Sequence, residues 1–459
     1  MKVKKQGVLF SYFLAELLLL NLAFFTVSFF KYGEPIRSGY LLLIALFNVS
    51  WMAIVFINGP QELYVRYKIQ KRIKDHLLNC FLLLGIVSPL LLLFGEDEYS
   101  RTMIFGTTLL FSGLSFLFFL FSSNYFRLLR SNKSTSRVLI LGAEEKGKQV
   151  FNFTQKNKHL GYEVVGFLDD KVSSNGINVL GRIQDLPQVL ENSSVDEIVI
   201  TMPSTKEKEI QYAIKTADFN GIRVNLVPDI MGSSFGTNQA AYQVDGMSMI
   251  EMHQVPLDLS HNYFLKRMFD ILFAGCLLIF LSPILLTIAA LIKFNSKGPI
   301  FYKPIRKGFG GKEFTCFKFR TMYTEMCEDP KNGSKSTTKD DPRITPIGRF
   351  LRKKDLDELP QFINVLLGDM SVVGPRPHRV NLNSELQHGV DHYMFRHYVK
   401  PGITGWAQVN GWRGPTITEE QKSERVRHDL WYIENWSFLL DIRIVFMTVF
   451  GKKTRINAF

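Results

Sequence analysis

A chain of 459 residues is long enough for about three domains at ~150 residues each. It is 46% hydrophobic, with 39 Phe, yet 21% charged, and Lys plus Arg outnumber Asp plus Glu by 55 to 42 for a formal charge of +13. These figures exclude disorder, collagen and small disulfide scaffolds, and fit a membrane-embedded part joined to a water-facing part. The four cysteines, Cys80, Cys276, Cys316 and Cys327, form no CxxC, so neither a zinc site nor a disulfide framework is indicated.

Four apolar stretches, 8–30, 40–58, 77–94 and 103–125, approach the ~20 residues that span a bilayer core. Basic residues crowd one side of them. Lys2, Lys4 and Lys5 precede the first, Arg66, Lys68, Lys71, Arg72 and Lys74 follow the second, and Arg127, Arg130, Lys133 and Arg137 follow the fourth. The other side holds Lys31, Arg37 and Arg101 beside Glu34, Glu96, Asp97 and Glu98. Positive loops stay in the cytoplasm, so both ends of a four-helix transmembrane bundle are expected there. Glu16 alone carries a charge inside these stretches. A lone acid with no basic partner suits an anchor, residues 1–130, better than a transporter.

Residues 131–255 read as a Rossmann-like α/β domain. Strands are expected at 138–142, 164–168, 198–202 and 223–227 with polar helical segments between them, the alternation of a parallel sheet. The loop after the first strand runs Gly142-Ala143-Glu144-Glu145-Lys146-Gly147. It lacks the middle glycine of GxGxxG and sets two acids where a pyrophosphate would approach, which argues against a dinucleotide.

A fifth apolar run, 271–292, has no charge, but Ser282-Pro283 sits at its centre. An interior proline removes a helical hydrogen bond. Lys266 and Arg267 precede the run and Lys293 and Lys297 follow it, placing both ends on the cytoplasmic side. A helix–break–helix that dips into the membrane and returns satisfies both features, with the Ser282 hydroxyl or a water meeting the freed backbone groups.

Chemistry-bearing residues gather in 256–459. Residues 298–312 are rich in Gly and Lys and read as a hairpin. Phe317-Lys318-Phe319-Arg320 alternates apolar and cationic residues, so Lys318 and Arg320 are expected on one strand face. Asp357 and Glu358 on a helix would point about 100° apart, so one can ligate a metal while the other attacks or abstracts. Oxygen ligands beside phosphates suit Mg²⁺. Lys318, Arg320, Arg352 and Arg376 are candidates to hold a diphosphate, arginine offering a bidentate fork. On spacing alone, an acidic pair after a basic stretch is more often a solvated helix end. Trp406, Trp412, Trp431 and Trp436 cluster near the C-terminus, and an interfacial helix is expected over 431–450. His388 and His392 stand four apart but have no evident third ligand, so zinc is not expected.

The ordered run of Lys266-Arg267…Asp270, Ser282-Pro283, 317–322, Leu356-Asp357-Glu358-Leu359-Pro360-Gln361, Gly374-Pro375-Arg376-Pro377 and Pro401-Gly402-Ile403-Thr404-Gly405 resembles the bacterial polyprenyl-phosphate sugar-phosphate transferases. These monotopic enzymes start capsule, O-antigen and exopolysaccharide assembly, and their long form has four spans and a Rossmann-like middle. The resemblance implies transfer of a sugar 1-phosphate from a UDP-sugar to undecaprenyl phosphate with release of UMP, at the cytoplasmic face of the bacterial inner membrane. It implies that Asp357 is the nucleophile, forming a sugar-phosphoryl aspartate, and that Glu358 helps hold Mg²⁺. Arg352 and Arg376 match family arginines. Asn410, Trp412 and Arg413, in Asn410-Gly411-Trp412-Arg413-Gly414, resemble the subgroup that moves glucose 1-phosphate, with galactose or an N-acetylated sugar as the alternative.

Two other classes fit parts of the chain. A tethered nucleotide-sugar dehydratase or epimerase needs GxGxxG and YxxxK, but the YxxxK matches, Tyr64 to Lys68 and Tyr67 to Lys71, fall between spans. A non-catalytic scaffold of a polysaccharide assembly complex needs only the anchor and middle module. Nucleic acid is disfavoured, because the positive charge is spread over membrane flanks and phosphate-site candidates. Self-association through the middle module, giving a homodimer, is a further expectation.

Overall fold

A computed structural model of the chain describes residues 2–35, 38–58, 69–93, 100–133, 136–156, 162–171, 178–227, 241–244, 247–252, 255–326, 341–414 and 418–451. Tyr64, Tyr67, Lys68 and Cys327 lie outside them. The chain divides into two compact units, Met1–Thr201 and Met202–Phe459.

In the first unit, helices stand at all four expected places: α1 (Lys2–Tyr32), α2 (Leu41–Asn58), α3 (Ile69–Leu93) and α4 (Arg101–Lys133). Segments Phe10–Tyr32 and Arg101–Phe121 are long and apolar enough to cross a membrane, and Leu41–Ile57 is a shorter apolar helix. Aromatic side chains fill the space between them, with Trp51 edge-on to Phe111 at 4.8 Å and Tyr12 against Phe118 at 5.0 Å. Two polar matches cross between the helices, where an apolar surrounding favours them. The amides of Asn21 and Asn48 exchange hydrogen bonds of 2.9 and 3.0 Å, joining α1 to α2. Glu16 is buried, with the Ser115 hydroxyl of α4 donating to it at 3.5 Å.

The unit continues as α/β. Strands β1 (Ser136–Leu141), β2 (Tyr162–Leu168), β3 (Val179–Gly181) and β4 (Glu197–Ile200) run parallel in the order β3-β2-β1-β4, with helices α5 (Glu145–Lys156) and α6 (Leu186–Asn192) between strands. Gly142 has φ +106° and Gly147 lets α5 start close behind it, since a Cβ on Gly147 would fall 2.1 Å from the Gly142 carbonyl oxygen. The loop thus keeps the tight turn of a nucleotide fold, but its amide is already taken. Asp169 Oδ2 accepts from the Ala143 N–H at 2.6 Å, and Lys171 pairs with Glu144 at 3.0 Å.

The second unit begins with α7 (Glu207–Asn220) and β5 (Arg223–Leu226), then β6 (Ala241–Val244) and β7 (Met247–Glu251), which pair antiparallel. Helix α8 (Ser260–Asn295) follows, and His261–Asn295 is the third segment long and apolar enough to cross a membrane. The expected break does not interrupt it: the helix runs on through Pro283. The reason is local. Proline lacks the N–H that the Ile279 carbonyl would accept, and the Ser282 hydroxyl donates to that carbonyl at 2.8 Å instead. Ile279, Phe280, Leu286 and Phe294 leave the outer face of α8 apolar and exposed.

Short strands and helices build the rest. Strands β8 (Phe301–Tyr302) and β11 (Lys318–Phe319) enclose the hairpin of β9 (Ile305–Lys307) and β10 (Glu313–Thr315), which turns at 308–311 and spans 305–315 rather than 298–312. After α9 (Pro346–Lys353) come α10 (Gln361–Leu367), β12 (Ser371–Val373), α11 (Val380–Gly389), β13 (Gly402–Thr404), α12 (Trp406–Val409), α13 (Glu419–Glu434) and α14 (Phe438–Phe450). The single helix expected over 431–450 is two, because Ser437 caps α14 by accepting from the Leu440 N–H at 3.2 Å. Trp436 is buried core, donating to Asp441 at 3.1 Å, while Leu439, Ile442, Phe446 and Val449 line an exposed apolar face of α14.

Candidate active site

Two glycine motifs far apart in sequence make one platform. β12 and β13 pair in parallel, and the Gly374 N–H then donates to Thr404 O at 2.8 Å while the Gly402 N–H donates to Pro375 O at 2.9 Å. A Cβ on Gly402 would lie 2.1 Å from the Gly374 nitrogen, so Gly374-Pro375-Arg376-Pro377 and Pro401-Gly402 need their glycines to meet. Buried charge supports the platform from below. Lys266 of α8 donates to Val373 O at 2.8 Å and to Asp441 of α14 at 2.6 Å. Asp270 accepts from the Ser371 hydroxyl and the Val372 N–H, each at 2.9 Å. Arg267 caps α10 by donating to Val365 O at 2.5 Å and Leu366 O at 2.8 Å. Roles for these α8 residues were not legible in the sequence, where they stood only as part of a motif.

The platform aims Arg376 at Glu358. Arg376 Nη1 reaches Glu358 Oε2 at 2.9 Å and Nη2 reaches Oε1 at 2.5 Å, a two-pronged contact. Lys318 of β11 meets the same Oε1 at 2.7 Å. Burial alone would raise the Glu358 carboxyl, but Arg376 and then Lys318 hold it well below the usual range. Its neighbour differs. Asp357 makes no hydrogen bond or ion pair among the described residues, and burial followed by the Glu358 charge pushes its carboxyl upward. The pair stands on a 3₁₀ turn, Leu356–Glu358, rather than on an α-helix, so the two side chains diverge by about 120°. One carboxylate is neutralised by cations and the other is left open.

Arg352, on α9, donates from Nε to Thr321 Oγ1 at 2.8 Å and carries its charge toward Asp357. Two arginines missed in the sequence join this group. The charges of Arg379 and Arg376 bear on Arg306 of β9, and that of Arg379 bears on Arg352. Arg379 stands three residues after Arg376, a spacing visible in the sequence; Arg306 sits in a hairpin that carries no such signal. Lys318, Arg352 and Arg376 are thus brought together around Asp357 and Glu358.

Arg320 does not join them. β11 ends at Phe319, so the alternation that would put Arg320 beside Lys318 does not continue. Its guanidinium is buried against the end of α8, donating to Ser296 O and Lys297 O at 2.7 Å each. It is a helix cap. Asn410 is also occupied, donating to Trp406 O at 2.8 Å, and the Trp412 ring lies 6.1 Å from that of His428. Arg413 reaches back to Asp355, two residues before Asp357, at 2.5 Å.

A buried network sets the arginine loop from behind. Arg396 Nη2 donates to Arg376 O at 2.7 Å and pairs with Asp429 of α13 at 2.8 Å. Arg396 Nη1 meets His378 Nδ1 at 2.6 Å, and burial together with the charges of Arg396 and Arg425 holds this imidazole well below its ordinary pKa.

The open carboxylate of Asp357 beside Glu358 fits a Mg²⁺ held jointly with phosphates rather than by a protein cage; no cluster of three or more His, Cys, Asp or Glu able to hold a metal occurs among the described residues.

Residues 261–454 match the family model described as bacterial sugar transferase, and residues 62–228 match one described as CoA-binding domain. The chain is 38% identical to a UDP-glucose:undecaprenyl-phosphate glucose-1-phosphate transferase of Klebsiella pneumoniae, over 90% of this chain and 88% of that one. An enzyme of the same name from Xanthomonas campestris pv. campestris is 40% identical, over 69% of this chain and 67% of that one. Another from Escherichia coli (strain K12) is 38% identical, over 68% of this chain and 67% of that one. On these matches, the chain is a membrane protein belonging to the bacterial sugar transferase family.

Proposed function

We propose that this transferase moves glucose 1-phosphate from UDP-glucose to undecaprenyl phosphate, releasing UMP, as the first step in assembling a surface polysaccharide. The observation that carries the reading is the unlike pair of carboxylates: Asp357 open, and Glu358 held as an anion by Lys318 and Arg376.

Asp357 Oδ attacks the sugar-bearing phosphorus, and the bond from that phosphorus to the oxygen bridging to UMP breaks. An oxygen of undecaprenyl phosphate then attacks the same phosphorus, the aspartyl–phosphorus bond breaks, and Asp357 returns as a carboxylate. Lys318, Arg352 and Arg376 spread the charge of the transferring group. Glu358 and Asp357 would hold Mg²⁺ together with the diphosphate, and the metal would supply further charge neutralisation. Holding Arg376 on Glu358 before the donor arrives keeps the fork aimed, so little reorganisation is needed at the moment of reaction.

The membrane arrangement belongs to the same reading. α1 to α4 form a four-span anchor in the bacterial inner membrane with both ends in the cytoplasm, supported by the basic flanks. α8 stays helical through Pro283, and a proline kink without a gap would let it enter and return to the cytoplasmic side, with the apolar faces of α8 and α14 at headgroup level. A soluble donor and a lipid phosphate then meet at one depth. A homodimer formed through the α/β region completes the proposal.

Detergent-purified full chain with Mg²⁺ and undecaprenyl phosphate should release UMP from UDP-glucose faster than from UDP-galactose or UDP-N-acetyl sugars. Preference for another donor would overturn the sugar, and no UMP from any donor would overturn the reaction.

A further inference from the structure

We infer that the Asp355–Arg413 ion pair is a positioning device that couples the 410–414 loop to the turn carrying Asp357. The inference rests on the transferase reading above and adds to it how the nucleophile is aimed.

Asp355 ends α9 in the left-handed region, φ +56° and ψ +17°. Glycine or asparagine is the usual residue at such a helix end, because a side chain resists that conformation. Aspartate here has a use for its carboxylate, and the structure gives it one: Arg413 Nη2 lies 2.5 Å from Asp355 Oδ1. The partner is itself anchored. Arg425 is buried and donates to the backbone carbonyls of Arg413 and Gly414 at 3.2 and 3.4 Å. Arg425 shares α13 with Asp429, which holds Arg396 and through it the Arg376 carbonyl. One helix thus fixes both the arginine loop and the loop that grips Asp355.

Asp357, two residues on, has no hydrogen-bond or ion-pair partner among the described residues, so the backbone of its turn does most to set its direction. Stability is not the main contribution of the Asp355–Arg413 pair. Asp355 is half exposed, and ion pairs of that kind add little.

Asp355→Asn keeps the shape and tolerates the left-handed backbone; Asp355→Gly suits that backbone better still. In UMP release with UDP-glucose, both variants should lose about ten-fold in kcat with KM within about two-fold of wild type and an unchanged melting temperature. Asp355→Asn combined with Arg413→Met should be no slower than Arg413→Met alone, the signature of a shared interaction. Wild-type kcat in Asp355→Asn, a rise in KM instead of a fall in kcat, or losses that multiply in the double variant would overturn the inference. No UMP from the wild-type chain with any UDP-sugar would remove the transferase reading and this inference with it.

Discussion

At the end of β1, the Ala143 N–H donates to a carboxylate, Asp169, at 2.6 Å, with Glu144 and Glu145 alongside. Beside β11 and β12, a carboxylate, Glu358, is instead met by Lys318 and Arg376 at 2.7 and 2.5 Å. Both are loops at strand ends where a phosphate could be held. The first has filled its own donor with an acid, whereas the second has gathered cations that a diphosphate can share. A nucleotide-type fold therefore does not decide where phosphate chemistry occurs; the charge lining the loop does.

The contrast extends to what lies beneath each loop. The second rests on buried charge, and Lys266→Met should be the most damaging test of it. It leaves Asp441 and Asp270 buried with their cation removed, a loss of about 3–5 kcal/mol visible as a lower melting temperature. A melt within a degree or two of wild type would mean that the charge is not supporting the platform.

Next in size is the replacement of Glu358. Glu358→Gln leaves Lys318 and Arg376 without their anion and should lower kcat/KM about 10²-fold, near 2.7 kcal/mol of transition-state stabilisation. A variant as active as wild type would put the cations' aim outside the control of Glu358.

Acid sharpens the comparison less steeply. His378 is neutral in the fold with its pKa held well below 6.5, so the unfolded chain binds the extra proton. Stability is fully present above about pH 6.5 and falls as pH drops below it, by up to about 1.4 kcal/mol per pH unit for this one proton. Thermal melts between pH 7.5 and 5 should show the slope, and His378→Asn should flatten it. An unchanged slope would place the acid sensitivity elsewhere.

The smallest effect is expected in the first loop. Asp169→Ala frees the Ala143 N–H, yet UMP release should stay within about two-fold of wild type. A ten-fold loss would mean that the α/β unit takes part in turnover.

The sequence made much of this visible where one residue type has few uses. Adjacent acids followed by Leu-Pro-Gln and glycines beside Arg376 each pointed to their place. What it hid was pairing at a distance. Nothing local tells that Arg320 turns to the end of α8, because that depends on β11 stopping at Phe319. The partnership of Lys266 with Asp441 joins residues 175 apart, and the hold of Arg396 on the Arg376 carbonyl leaves no compositional trace. The break expected at Pro283 was misjudged for a subtler reason: Ser282 repairs the missing hydrogen bond, so the helix continues where a proline alone predicts a gap.

The central claim is that Asp357 is left open in order to attack. Full-length protein incubated with UDP-glucose and Mg²⁺, without undecaprenyl phosphate, and then digested for mass spectrometry tests it most directly. A hexose-phosphoryl group is expected on the peptide containing Asp357, absent in Asp357→Asn and discharged when undecaprenyl phosphate is added. Turnover by Asp357→Asn, or the adduct on another residue, would contradict it.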